Sequence, residues 1–140
     1  MKRYLSLVIT LAVGAAIGLL GGRLSSAQEP LKQGTVLQRE DVAGSKGMEA
    51  ILVLREIPGG GESGKHTQSG TEIVYILDGS VVFEAAGQAP KPLSAGQAFS
   101  TKAGEVHNVK NASSSAPAKA LAFYIAKKGA NLEDLSKPVK

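Results

Sequence analysis

From about residue 35 onward the chain alternates short runs rich in apolar, β-branched and aromatic residues with clusters of glycine, proline and small polar residues. The runs lie at residues 50–57, 71–77, 80–84, 97–101, 107–110 and 118–126, and Thr35-Val36-Leu37 supplies a first strand. Between them fall Pro58-Gly59-Gly60-Gly61, Asp78-Gly79, Ala86-Gly87-Gln88, Ala95-Gly96 and Lys102-Ala103-Gly104. Strands this short and this regularly spaced predict an all-β sandwich or small barrel. Asp78-Gly79 between two apolar runs predicts a hairpin, because both central positions of a two-residue turn favour positive φ. No amphipathic helix is expected after residue 27, and residues 131–136 are given one helical turn at most.

Two details of the pattern bear on what lies inside. Ile51-Leu52-Val53-Leu54 is apolar on both faces, as for a strand covered on each side. His66, Gln68, Glu72, Val74 and Ile76 share one parity, and successive side chains on a strand point to opposite faces. Groups able to bind a metal are thus expected to share an interior with apolar neighbours. A buried carboxylate with no cation beside it is costly, so Glu72 on that face implies a positive partner.

Composition narrows the function classes. A chain of 140 residues, 43% hydrophobic and 20% charged, supports one domain with an ordinary core. The absence of cysteine excludes disulfides, thiol catalysis and thiolate metal ligation. The pI of about 9.4 does not signal nucleic-acid binding. Lys2, Arg3 and Arg23 supply +3 of the formal +4, and no basic stripe interleaved with aromatics exists elsewhere. Those three residues flank a segment built like a secretory signal. Lys2-Arg3 precedes an apolar run from Leu5 to Leu20, and Ser25 and Ala27 are small residues placed for cleavage before Gln28. The expectation is a signal peptide at residues 1–27 and a domain at 28–140, periplasmic or secreted. The competing reading is an uncleaved anchor over residues 4–22, with the domain still outside the cytoplasm and the membrane touched only there.

The only two histidines sit in two spaced patterns. One reads Gly60-x5-His66-x-Gln68-x3-Glu72-x6-Gly79, the other Gly96-x5-Lys102-x-Gly104-x2-His107-x3-Asn111. These residues resemble the two motifs of the cupin superfamily over roughly residues 35–127, with a spacer of 16 residues between Gly79 and Gly96. The resemblance implies a single-domain, double-sheet jelly-roll β-barrel. It also implies that His66, Glu72 and His107 ligate one divalent transition metal, whether iron, manganese, nickel or zinc. Gln68 stands where the family has a second histidine, and Lys102 where it has proline. The glutamine either ligates through its amide oxygen, as in the related phosphomannose isomerases, or hydrogen-bonds beside the site. The lysine is expected to matter little, because Ala103-Gly104 can still make the turn.

Two histidines and a carboxylate resemble the facial set of non-haem iron oxygenases, which leaves coordination positions open. One reading is therefore a metal-dependent dioxygenase of a small organic substrate, similar to quercetinase-like cupins, with no catalytic residue identified beyond the ligands. A second is a non-catalytic module that binds or senses a metal or small ligand, since Gln68 weakens the ligand set. A third keeps the barrel as an interaction domain without metal. Tyr75, Phe83, Phe99, Phe123 and Tyr124 are expected to pack the core, and Glu62, Lys65 and Glu105 to be rim charges. A homodimer would reduce exposed sheet edge.

Overall fold

The computed structural model describes residues 34–131 and 136–139. The signal expected at residues 1–27, and residues 132–135 of the expected helical turn, lie outside these. The described residues form ten strands: β1 (Thr35–Asp41), β2 (Met48–Ile57), β3 (His66–Gln68), β4 (Thr71–Asp78), β5 (Ser80–Ala85), β6 (Lys91–Ser94), β7 (Ala98–Thr101), β8 (His107–Asn111), β9 (Ala118–Lys127) and β10 (Ser136–Pro138). They pair as two five-stranded sheets, β1-β2-β9-β4-β7 and β10-β3-β8-β5-β6, in which every pairing is antiparallel. This is the all-β architecture that the alternation called for, in the double-sheet form that the resemblance implies.

Strict alternation decides the inner face. Along β9 the alternate residues Ala118, Ala120, Ala122, Tyr124 and Ala126 are buried, and along β4 Glu72, Val74 and Ile76. Ile51, Val53 and Ile57 of β2 meet them across the strand pairs, and Val81, Phe83, Ala85 and Leu93 close the core from the other sheet. Phe83 and Phe99 stack with ring centroids 4.4 Å apart, joining the two layers.

Four expectations change. Asp78-Gly79 is not a hairpin: β4 pairs with β7 and β9, β5 with β6 and β8, and the chain passes between sheets at this point. Only Gly79 has positive φ, 75°, and a Cβ there would lie 3.1 Å from the Ala118 Cα. Apolar residues on both sides of Asp-Gly signal a tight reversal, but which strands then pair is decided by distant partners. Second, Ser136 opens β10 rather than closing a helical turn. Third, β3, β6 and β10 escape the pattern because three or four residues, mostly polar or proline, carry no readable period. Fourth, Tyr75 and Phe123 are not core residues. They lie on the outer face of the first sheet with Ile73 and Leu77, all exposed, and Leu52 and Leu54 there are only half-buried.

Candidate metal centre

Register builds the site. In the second sheet His66 pairs directly with His107, which also pairs with Ala85. In the first sheet one inward row runs Ile51, Tyr124, Glu72, Thr101 across β2, β9, β4 and β7. The facing rows bring all four residues singled out in the sequence together: His66, Gln68, Glu72 and His107 are 7%, 3%, 5% and 2% exposed. The two imidazole centroids lie 4.2 Å apart.

Backbone carbonyls fix both imidazole tautomers. His66 Nδ1 faces the Gly64 carbonyl at 2.8 Å and His107 Nδ1 the Glu105 carbonyl at 3.0 Å. A carbonyl only accepts, so Nδ1 carries a proton on both rings and Nε2 is the nitrogen turned inward, a lone-pair donor when the ring is neutral. That is the arrangement a metal-ligating histidine needs. Glu105, expected to be a rim charge, thus orients His107 through its backbone. Its side chain also accepts from the Lys102 backbone N–H at 3.1 Å, a bond that proline at 102 could not make.

Glu72 is held on both oxygens. Tyr124 Oη donates to Oε1 at 2.6 Å, while Thr101 Oγ1 and Gln68 Nε2 each donate to Oε2 at 3.2 Å. Arg55 Nε and Nη2 donate in turn to Tyr124 Oη, at 3.2 and 2.9 Å. His107 Nε2 lies 3.7 Å from Glu72 Oε2, too far for a hydrogen bond and close enough for electrostatic attraction when the ring is protonated. Burial opposes the Glu72 charge, yet His107, Tyr124 and Arg55 together hold its carboxyl below the ordinary range. Burial lowers His66; for His107 burial also pulls downward but is outweighed by Glu72 and Glu105 together, and the pKa is raised. Burial, with the Glu72 charge, pushes the Tyr124 phenol up, so it stays a protonated donor.

Gln68 hydrogen-bonds to His66 and Glu72 of the cluster. Its Nε2 lies 3.2 Å from both His66 Nε2 and Glu72 Oε2, so an amide N–H group fills the place where a cation would meet those two acceptors. Ligation through its oxygen would require the amide to turn over. Among the described residues no three His, Cys, Asp or Glu side chains are gathered as a metal-holding set. The donor chemistry nevertheless fits a divalent metal. His107 Nε2 and Gln68 Oε1 are buried without any hydrogen-bond partner, a costly state that a cation bound to the neutral ring would relieve. A groove of about 840 Å³ lined in part by Phe83, Pro90, Pro92 and Phe99 includes none of these four residues.

Sequence reasoning missed Thr101 and Arg55 and assigned Tyr124 to packing. Arg55 was findable, since it shares parity with the buried Ile51, Val53 and Ile57 and so is an inward charge on an apolar strand. Tyr124 and Thr101 carry no local signal.

The cupin domain family model matches residues 53–124, which is half of the chain and contains every residue of the constellation. No curated protein matches the chain. Among solved structures, an uncharacterized conserved protein with a double-stranded β-helix domain from Klebsiella pneumoniae is 18% identical, with a TM-score of 0.55 over 70% of this chain and 78% of that one. A cupin-like protein from Thermotoga maritima is 17% identical, with a TM-score of 0.51 over 64% of this chain and 65% of that one. The DMSP lyase DddQ from Ruegeria pomeroyi is 24% identical, with a TM-score of 0.50 over 62% of this chain but only 42% of the lyase. At these identities the likeness concerns the fold. Two facing sheets of this topology and the match across 53–124 together make this chain a member of the cupin family.

Proposed function

We propose that this cupin binds one divalent transition metal through His66, His107 and Glu72, and presents it to a small organic ligand. The observation that carries the reading is the pair of imidazoles whose Nδ1 protons are tied to carbonyls, with the His107 Nε2 buried and unpartnered. Gln68 is the reversible element: its amide guards the acceptors until a cation displaces it or its oxygen turns inward. When bound, the metal would supply Lewis acidity toward an enol, phenol or carboxylate oxygen. The chain's own residues orient and exclude water. Thr101 and Tyr124 hold Glu72, and Phe83, with its ring centroid 5.9 Å from that of His107, backs the site with apolar surface.

Metal-free protein is loaded separately with iron, manganese, nickel and zinc, and metal content is measured per chain. About one equivalent is expected, lost in His66→Ala and His107→Ala; no uptake of any of the four overturns the reading. Turnover is a dioxygenase reaction in the first instance, checked by oxygen uptake with flavonols and diketones on the iron form. Gln68 in the guarding position supports the binding-module alternative. If Gln68→His raises affinity and oxygen uptake stays absent, binding is the function.

Export with cleavage before Gln28 is supported by the build of residues 1–27 and is checked by the N-terminal sequence of protein from the periplasm or medium. Homodimer formation is supported by the apolar outer face of the first sheet, where Ile73, Tyr75 and Leu77 are 47%, 45% and 43% exposed.

A further inference from the structure

Arg55 is a charged residue on the inner face of a barrel strand. Its neighbours of the same parity, Ile51, Val53 and Ile57, are core residues, and it is itself half-buried. No aspartate or glutamate pairs with it among the described residues. Its hydrogen bonds go through Nε and Nη2 to one neutral phenol, Tyr124, whose proton goes to Glu72. Arg55 is therefore balanced by the Glu72 carboxylate only at second hand. Opposite it on β9 stands Ala120, flanked on the same face by Ala118 and Ala122, which leave the guanidinium without a bulky side chain across the strand pair.

The charge count gives this arrangement a direction. With no metal, Arg55 and Glu72 cancel. A divalent cation held by two neutral imidazoles and Glu72 leaves the cluster strongly positive, with a guanidinium two hydrogen bonds from the carboxylate. A half-buried positive cluster favours an anion, and the planar fork of arginine suits a carboxylate.

We propose that Arg55 is the recognition residue for a small organic acid: one carboxylate is received by its guanidinium, and a second oxygen of the same short molecule reaches toward His66 and His107. This rests on the metal reading for the second contact but not for the first. The Tyr124 hydroxyl, 2.9 Å from Arg55 Nη2 and 2.6 Å from Glu72 Oε1, keeps the guanidinium close to the carboxylate that the two histidines share. Short dicarboxylates are therefore the probes.

Malonate, succinate and the neutral malonamide serve as probes in calorimetric titrations of the zinc-loaded and the metal-free chain. The dicarboxylates are expected to bind the loaded wild type, and malonamide at least about tenfold more weakly. Arg55→Gln should lose roughly 10–100-fold in dicarboxylate affinity, the effect of removing a charge-assisted pair. Arg55→Lys should fall between, because an ammonium keeps the charge and loses the fork. Urea midpoints of both variants establish that they fold. Equal dicarboxylate affinity in wild type and Arg55→Gln, or no dicarboxylate binding to wild type, overturns the proposal. Failure of zinc to load would sink the metal reading alone; the metal-free arm, where binding is weaker but still Arg55-dependent, then decides this one.

Discussion

Replacing Tyr124 with phenylalanine removes one oxygen from the middle of the buried network and leaves the ring volume in place. That hydroxyl donates at 2.6 Å to a carboxylate that is 5% exposed, and accepts from the half-buried Arg55. A hydrogen bond to a charged group contributes about 1.5–3 kcal/mol net, and Glu72 Oε1 would be left buried and unpartnered. Arg55 can recover water, so its share is small. The expected loss is therefore about 2–3 kcal/mol, a large part of the roughly 5–15 kcal/mol that stabilises an ordinary domain. Urea unfolding of the metal-free chain at neutral pH, followed by far-ultraviolet circular dichroism, measures it. Glu72→Gln and the double variant complete a thermodynamic cycle in which a coupling of about 1–2 kcal/mol is expected. A loss below about 0.5 kcal/mol for Tyr124→Phe, or strict additivity in the cycle, would refute the idea that this phenol holds the carboxylate.

Other positions test other links. Asn111 donates to the carbonyls of Ile57, Pro58 and Ala116 and accepts from the Ser113 N–H, so Asn111→Ala should cost about 2 kcal/mol in urea unfolding. Gly79→Ala puts a Cβ 3.1 Å from Ala118 Cα at φ 75°, and a loss of about 1–3 kcal/mol is expected by the same measurement. The Lys110 hydrogen bond lowers the Glu84 carboxyl below its ordinary value of 4.5, so this pair stabilises the fold above that pH and ceases to as pH falls through the lowered value. Melting temperatures of wild type and Lys110→Met should differ at neutral pH and converge in acid; a difference unchanged by acid counts against the pair. On the outer face, Tyr75→Glu should shift the chain toward monomer in light scattering after size exclusion, and an unchanged mass argues against that face.

Strand periodicity, the inward parity of Glu72, Val74 and Ile76, and the two glycine-bounded histidine motifs are all legible in the sequence. These are local quantities, set by side chains alternating along one strand and by turns a few residues long. The sequence also carried the inward charge of Arg55, in the same parity as Ile51 and Val53. Long-range folding parts β4 and β5 into different sheets at Gly79, because strand pairing is settled by partners far along the chain. It alone brought Tyr124 of β9 between Arg55 of β2 and Glu72 of β4, residues 69 and 52 positions away. The direction of the Gln68 amide was likewise beyond the sequence. A glutamine can point either end at a neighbour, and the choice falls to whichever groups converge on it: here a histidine lone pair and a carboxylate, both of which accept.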